Sequence, residues 1–290
     1  MARPHDTGRT APADTWPQSD GPFPKCPFCP GAEHETPPEL WADRAPDTAP
    51  DTPGWRVRVV PNLFPVLPPD EGVHEVIINT HRHVFALWDL TPSEMARAID
   101  AWARRERALR TDARALWPFL FLNQGAAAGA SLQHTHAQLL GFPFAPPRLL
   151  AREQAFCEAP TCPICDEFAD PNFALITEIG PLVAWCPQTP TLSGAVRIGP
   201  RVHIPEWPAR PGDDLAAIMR PVMRELCGVV GTSAANLWLH QRRHHGPDAL
   251  HWHIEIIPRR GTLAGMELGA GVFSLLNEPN GLAQAIRAGI

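Results

Sequence analysis

Two cysteine pairs, each followed by two spaced histidines, are the residues of this sequence best suited to holding a metal ion. Each half of the chain has a Cys-Pro-x-Cys segment, then a histidine in a turn, then a His-x-His segment. Zinc prefers four nitrogen or sulfur ligands in a tetrahedron, and structural sites commonly begin with two such closely spaced cysteines. The spacing predicts two Zn²⁺ sites, the first formed by Cys26, Cys29, His83 and His134 and the second by Cys162, Cys165, His203 and His251.

Both metal sites are expected to be structural, because four protein ligands leave no open position at which water is activated. Iron could replace zinc at the second site. Two alternatives stay open from the sequence alone. The cysteines could be small buried apolar residues, and other histidines could replace those assigned to the turns, namely His81, His240, His244 and His245.

The His-x-His segment of the first half carries the catalytic hypothesis. Side chains two residues apart in a strand share a face, so His134, His136 and Gln138 are expected to line one surface. If His134 binds metal, His136 is free. It follows a loop of small residues, 125–131, whose backbone N–H groups can approach an anion closely. An imidazole beside a phosphate site indicates nucleophilic catalysis at phosphorus; the alternative is a polar core strand without chemistry.

The second half repeats this pattern with changes that argue against a second active site. The corresponding loop is 242–248, and Glu255 stands where the first half has Gln138. A carboxylate that faces a phosphate repels it. The second copy is therefore expected to be structural or to line the substrate, with one active site per chain.

Helices and strands must position these residues, and they also occur twice. Thr91 to Glu94 is a capping box that starts a helix reaching Arg110, and Asp213 to Val230 is the matching helical segment. Segments 55–67, 72–80 and 251–257 have strand-like patterns. The sequence predicts a duplicated α+β domain with antiparallel sheets and helices packed on one side.

Composition excludes several classes of function. The chain has 290 residues, a net charge of −6 and no basic stripe, so nucleic acid is not an expected partner. Lys25 is the only lysine and there is no tyrosine, which excludes a P-loop, a pyridoxal phosphate lysine and a tyrosine acid. No apolar run is long enough to span a membrane. The seven cysteines, four of them in metal-type pairs, favour a reducing, cytoplasmic location.

Residues 123–138 form the most specific motif of the chain, an N-x-G-x-x-x-G-x-S-x-x-H-x-H-x-Q run. With segments 26–31, 60–64 and 251–253, this run resembles the galactose-1-phosphate uridylyltransferase family, a transferase branch of the histidine-triad superfamily. The resemblance extends over about residues 22–275. The C-terminal stretch 264–273 is closer to an ADP-glucose phosphorylase-like branch, in which inorganic phosphate is the acceptor.

The resemblance implies two histidine-triad-like domains and a two-step exchange. His136 would attack the α-phosphorus of a nucleotide sugar, and a sugar 1-phosphate or phosphate would then take the nucleotidyl group. Gln138 in place of a third histidine is typical of transferases and disfavours a hydrolase. The default reaction is uridylyl transfer to galactose 1-phosphate, which places the chain in galactose metabolism. The alternatives are adenylyl transfer to phosphate and a nucleotide-binding protein without activity.

The resemblance also assigns individual residues, and it implies a homodimer. Ser131 and Gln138 would bind phosphoryl oxygens beside His136. The substrate-binding residues would be Asn62, Asn123, Gly125, Gly129 and Glu267. The expected division of the chain is an extended or disordered segment 1–21, a catalytic domain 22–145 and a degenerate repeat 146–290.

Overall fold

The fold is described from a computed structural model, which describes residues 26–114, 116–190, 192–242 and 248–290. The predicted N-terminal segment 1–21 lies outside these residues, as do His244 and His245 and most of the loop 242–248. Five α-helices are present in this part of the chain. They are α1 (Pro92–Arg110), α2 (Pro147–Glu158), α3 (Pro163–Ala169), α4 (Gly212–Val230) and α5 (Pro279–Arg287). None of them is both long and apolar enough to cross a bilayer.

The strands of the described residues join into one ten-stranded sheet in which every pair is antiparallel. They are β1 (Trp41–Arg44), β2 (Trp55–Pro61), β3 (Val73–Ile78), β4 (Trp117–Gln124), β5 (His136–Phe142), β6 (Ala174–Ile179), β7 (Leu182–Cys186), β8 (Val196–Pro200), β9 (Ala235–His240) and β10 (His253–Pro258).

The strand order shows the repeat directly. From one edge to the other it is β1-β2-β3-β5-β4-β9-β10-β8-β7-β6. Reading inward from either edge therefore gives the same succession of strands, with β5 and β10 in equivalent places. The two halves meet at the β4–β9 pair, where Asn123 lies opposite Asn236. The predicted α+β fold with a duplicated antiparallel sheet is confirmed.

The long helices cover one face of the sheet and share a single core that crosses both halves. Met95, Ile99 and Trp102 of α1 are fully buried there, together with residues of α4 and α5. Helix α4 begins against α1, where a Cβ on Gly212 would lie 2.3 Å from the carbonyl oxygen of Ala96. Helices α2 and α3 pack on the other face, where their apolar side chains form a separate cluster, so the helices do not all lie on the one side that the sequence predicted. Because the sheet and core are continuous, the domain boundaries at 145 and 146 stay a prediction.

Helix α1 starts as its capping box predicts. The Thr91 hydroxyl accepts a hydrogen bond from the backbone N–H of Glu94 at 3.3 Å, and the Glu94 carboxylate accepts one from the Thr91 N–H at 2.8 Å. Two backbone donors that the first helical turn leaves unpaired are thereby satisfied.

Several strands are shorter than their sequence patterns suggest. Strand β2 ends at Pro61 instead of Leu67, because prolines at 61, 65 and 68 lack the N–H that a strand ladder uses. Strands β5 and β10 begin at the second histidine of each His-x-His segment. His134 and His251 therefore precede the strands, so the expectation of one shared strand face holds for His136 and Gln138 but not for His134.

Glu106 on α1 supplies a test of the packing between the halves. Its side chain is 4% exposed, and burial raises its pKa to about 7 against the opposing effects of Arg110 and Gln241. Because the folded protein binds this proton more tightly than the unfolded chain, the contribution to stability is complete below about pH 4.5 and is lost as the pH rises through 7. We expect wild type to lose about 3 kcal/mol of unfolding free energy relative to Glu106→Gln between roughly pH 4 and pH 8.

Urea unfolding of both proteins across this pH range measures the difference, with Glu158→Gln as an exposed control on α2. Parallel pH profiles of wild type and Glu106→Gln would contradict the expectation.

Candidate active site and metal centres

The four residues assigned to the first metal site lie together. The ligand atoms of Cys26, Cys29, His83 and His134 are all within 4.8 Å of one another. The Sγ–Nδ1 distances are 3.7 Å for Cys26–His134, 3.3 Å for Cys29–His83 and 3.7 Å for Cys29–His134. Bond lengths of about 2.3 Å to sulfur and 2.0–2.1 Å to nitrogen place tetrahedral ligands about 3.5 Å apart. The cluster fits a zinc ion, and neither His81 nor His240 belongs to it.

A hydrogen bond orients the His134 ring within this cluster. Its Nε2–H donates to the carbonyl oxygen of Thr80 at 2.8 Å, so Nδ1 carries the lone pair that faces the cysteines. A metal-binding histidine commonly has such a partner on its other nitrogen. Burial lowers the pKa of His134 to about 4, which keeps the ring neutral.

The second cluster repeats this arrangement. The ligand atoms of Cys162, Cys165, His203 and His251 again lie within 4.8 Å of one another. The Cys162–His251 and Cys165–His251 distances are 3.6 Å and 3.7 Å. His251 Nε2–H donates to the carbonyl oxygen of Pro200 at 2.9 Å, as His134 does to Thr80. Both clusters can therefore hold a metal ion through Nδ1 of each histidine.

The turn that carries His83 is fixed to the start of α1. The Arg82 guanidinium donates to both carboxylate oxygens of Glu94, at 2.7 Å and 2.6 Å. This hydrogen bonding is the main cause that lowers the pKa of Glu94 to about 2. The residue that caps the helix thus also positions the metal-binding turn.

His136 is held with one ring nitrogen occupied. Its Nδ1–H donates to the carbonyl oxygen of His134 at 2.9 Å, so the lone pair is on Nε2. The ring is buried, lies edge-on to Phe28 and lines a cavity of about 340 Å³. Burial lowers the pKa of His136, which favours the neutral imidazole. A neutral ring whose Nε2 carries the lone pair has the form that a nitrogen nucleophile requires.

A series of hydrogen bonds between side chains anchors Thr135, the residue between the two histidines. Trp102 Nε1–H on α1 donates to Asn79 Oδ1 at 2.9 Å, and Asn79 Nδ2 donates to the Thr135 hydroxyl at 3.1 Å. All three residues are buried. The turn that joins the metal cluster to His136 is thereby fixed from the helical face of the sheet.

Four of the predicted site residues meet at the cavity, namely Asn62, Ser131, His136 and Gln138. Its volume falls in the range of about 300–1,000 Å³ that is usual for small-molecule sites. Apolar residues form much of the wall, including Phe28, Val60 and Leu132. The cavity combines an apolar wall with a few polar groups around one imidazole.

The other predicted substrate-binding residues, Asn123, Gly125 and Gly129, are not among the residues that line this cavity. Gly125 and Gly129 have φ angles of +83° and +85°, a conformation that side chains with a Cβ rarely adopt. Asn236 Nδ2 donates to Asn123 Oδ1 and to the carbonyl oxygen of Ala128, both at 2.8 Å. A residue of the second half thus orients Asn123 and holds the loop.

Glu267 lies apart from the other predicted site residues within this chain. It lines a separate cavity of about 240 Å³, and its carboxylate accepts a hydrogen bond from the backbone N–H of Ala264 at 2.9 Å. Its assignment as a substrate-binding residue stays a prediction.

In the second half, a side chain of the protein occupies the space next to His253, the residue equivalent to His136. His253 Nδ1–H donates to the carbonyl oxygen of His251 at 2.8 Å, which repeats the geometry of His136. The Arg152 guanidinium on α2, however, lies 2.6 Å from His253 Nε2. Arg197 and His240 surround Glu255. The nitrogen that would attack is therefore blocked, in agreement with one active site per chain.

Sequence reasoning missed several residues that support the site. His74 contacts Gln138, Asn79 anchors Thr135, Asn236 holds the glycine loop and Arg152 blocks the second half. Polar residues within apolar strand patterns, such as His74 and Asn236, were the available signal. The sequence contains no comparable signal for Arg152, because its role depends on how α2 packs.

Comparison with known proteins agrees with the geometry. A family model described as "Galactose-1-phosphate uridyl transferase, N-terminal domain" matches residues 1–146. The chain is 27% identical to ADP-glucose phosphorylase of Arabidopsis thaliana, across 93% of this chain and 84% of that protein. It is 32% identical to galactose-1-phosphate uridylyltransferase of Streptomyces lividans over 144 residues, which are 49% of this chain and 37% of that protein.

A solved structure gives the same relationship in three dimensions. The crystal structure of an ADP-glucose phosphorylase from Arabidopsis thaliana with bound ADP-glucose superposes with a TM-score of 0.81 at 25% identity. The superposition covers 92% of this chain and 91% of that one. The similarity therefore extends through both halves of the sheet.

Replacement of a cysteine tests the metal assignment. We expect Cys26→Ser to lose one of two bound zinc ions per chain and to lower the unfolding temperature strongly. Structural zinc contributes on the order of 10–16 kcal/mol, against a net domain stability of about 5–15 kcal/mol. Elemental analysis and thermal unfolding measure both effects. Cys157→Ser is the matched control, because this thiol is exposed and outside both clusters. Unchanged metal content in Cys26→Ser would remove the cysteine from the site.

Proposed function

The chain belongs to the galactose-1-phosphate uridyl transferase family and is a nucleotidyltransferase, and on that premise we propose that it works through a nucleotidyl group held covalently on His136. The observation that carries this proposal is the geometry of one ring. His136 Nδ1–H donates a hydrogen bond to the His134 carbonyl oxygen, and the ring lines the cavity that Ser131 and Gln138 also line.

In the first step, His136 Nε2 attacks the α-phosphorus of a nucleotide sugar. A bond forms between nitrogen and phosphorus, and the bond from that phosphorus to the oxygen bridging to the sugar phosphate breaks. The sugar 1-phosphate leaves with the electron pair. The hydrogen bond from Nδ1–H to the His134 carbonyl oxygen is kept, and it stabilises the positive charge that develops on the ring.

In the second step, an oxygen of a phosphate or sugar phosphate attacks the same phosphorus and displaces His136. The Ser131 hydroxyl and the Gln138 amide donate to the phosphoryl oxygens in both steps, where negative charge increases. Asn62, Asn123 and the loop at Gly125 and Gly129 contact the nucleotide. Because Gln138 is neutral and is not a third histidine, it favours transfer over hydrolysis.

The two metal sites have a structural role in this proposal. Zinc bound to two cysteines and two histidines supplies a closed centre that stiffens the fold and has no open coordination position. Iron is an alternative at the second site. The first cluster holds His134 and so fixes the carbonyl group to which His136 is bonded.

Two donor and acceptor pairs are compatible with the site. The first is uridylyl transfer from UDP-glucose to galactose 1-phosphate, in keeping with the family. The second is adenylyl transfer from ADP-glucose to inorganic phosphate. It is supported by similarity to a protein named ADP-glucose phosphorylase along 93% of the chain, whereas the similarity to the Streptomyces lividans uridylyltransferase spans 49%.

A homodimer in the cytoplasm completes the proposal. The family resemblance supports the dimer, as do the exposed apolar side chains of Leu268 and Leu276 near the C-terminus. Four thiols grouped as two metal-binding pairs support a reducing compartment.

Intact mass measurement after incubation with UDP-glucose or ADP-glucose tests the proposal. We expect one adduct per chain, and its mass identifies the base. His136→Ala should fold and bind nucleotide without forming the adduct, whereas His34→Ala, an exposed control outside the cavity, should behave as wild type. Nucleotide binding without an adduct in wild type would favour the inactive binding protein. Release of free nucleotide without an acceptor would favour a hydrolase.

Gln138→Ala is expected to slow adduct formation about a hundredfold or more, because removal of one donor to developing oxyanion charge costs ~2.7–4 kcal/mol. Single-turnover rates at saturating nucleotide sugar measure the effect on the chemical step. A rate within about twofold of wild type would exclude Gln138 from binding the phosphoryl group.

A further inference from the structure

His74 is a buried histidine that neither metal cluster nor the proposed reaction uses. It lies on β3 and is 9% exposed. Its Nε2 is 2.9 Å from Oε1 of Gln138 on the neighbouring strand β5. In the strand register Gln138 lies opposite Val76, so His74 is its diagonal neighbour on the same face of the sheet. The contact is therefore built into the pairing of two central strands.

The protonation of the His74 ring follows from its other contact. The backbone N–H of Val66 donates to His74 Nδ1 at 3.3 Å, so Nδ1 is an acceptor. Burial lowers the pKa of His74, and a neutral ring then carries its single proton on Nε2. In this tautomer Nε2–H donates to Gln138 Oε1.

Asn62 sets up the competing arrangement. Its Nδ2 lies 3.0 Å from the same His74 nitrogen, while its Oδ1 accepts from the backbone N–H of Phe64 at 2.9 Å. If His74 Nε2 accepted from Asn62, the proton would move to Nδ1 and face the Val66 N–H, which is also a donor. The Val66 contact therefore favours donation from Nε2 to Gln138.

An amide side chain can present either its oxygen or its NH₂ group to a ligand, and the two have opposite effects on a phosphate. The oxygen repels phosphoryl oxygens, whereas the NH₂ group donates to them. With Oε1 of Gln138 occupied by His74, the NH₂ group is the one left for the cavity.

We propose that His74 is a positioning residue that fixes the Gln138 amide with its NH₂ group toward the phosphoryl oxygens. This inference rests on the proposed function, because it concerns how Gln138 acts in it. The second half offers a comparison at the equivalent strand position. There Glu255 is surrounded by Arg197 and His240, so the side chain at this position is held by neighbours in both halves.

Two replacements of His74 separate the hydrogen bond from the volume of the ring. Glutamine places its NH₂ group near the position of His74 Nε2 and keeps a donor, whereas methionine fills similar space without one. We expect His74→Met to slow single-turnover adduct formation about tenfold or more at saturating nucleotide sugar. His74→Gln is expected to recover most of this loss. Thermal unfolding of both variants shows whether each is folded.

A double-mutant cycle with Gln138→Ala gives the result that a merely structural role would not produce. If His74 acts through Gln138, His74→Met should change the rate by less than about twofold once Gln138 is alanine. Multiplied losses in the double variant would overturn the proposal, as would equal rates for His74→Met and His74→Gln. If His74→Met does not fold, the cycle with His74→Gln decides the question, since its small loss should vanish without Gln138.

The proposal and the function it rests on fail in different ways. Absence of any adduct in wild type contradicts the proposed function. A wild-type adduct whose rate responds to Gln138→Ala but not to His74→Met contradicts only the role of His74.

Discussion

The hydrogen bond from His136 Nδ1 to the carbonyl oxygen of its neighbour His134, at 2.9 Å, is the interaction on which the proposed chemistry depends. It fixes the tautomer and leaves Nε2 as the nitrogen that can attack. The carbonyl group is itself held in place, because the His134 ring donates to Thr80 and faces two cysteines. In the proposed reaction, the first metal cluster has no open coordination position and acts only by fixing the direction of this peptide group.

The two halves show how little separates an open site from a blocked one. Each has a histidine pair joined by the same hydrogen bond and a cluster that can hold a metal. In the first half the second ring lines a cavity, and a neutral amide lies two residues further along the strand. In the second half Arg152 covers that ring, and the amide is replaced by Glu255. The two halves share one scaffold and differ in the charged groups around the second histidine, which is the basis for proposing a single active site per chain.

Much of this arrangement could be predicted from the sequence, because its signals are local. The capping box at Thr91, the alternation of the strands and the cysteine spacing each depend on residues close together in the chain. The repeat made the assignment of His83 and His203 possible, although other histidines competed with them. In the structure His83 and His203 lie in the two metal-binding clusters with the cysteines, whereas His81 and His240 belong to neither cluster.

Long-range contacts account for what the sequence could not predict. Asn236 holds the loop of the other half only because β4 and β9 pair at the centre of the sheet. His74 meets Gln138 through the register of β3 and β5, and Arg152 reaches His253 across 101 positions of sequence. The turns at His134 and His251 also differ from the strand geometry that their alternation suggested. The periodic pattern of residues along the chain does not predict such long-range contacts.

The nitrogen of the histidine ring to which phosphorus becomes attached decides whether the proposed mechanism is right. Nuclear magnetic resonance of the ¹⁵N-histidine-labelled adduct, observed through nitrogen–phosphorus coupling, separates attachment at Nε2 from attachment at Nδ1. We expect phosphorus on Nε2 of His136, because Nδ1–H is hydrogen-bonded to the His134 carbonyl oxygen. Attachment at Nδ1, or on any other histidine, would contradict this mechanism.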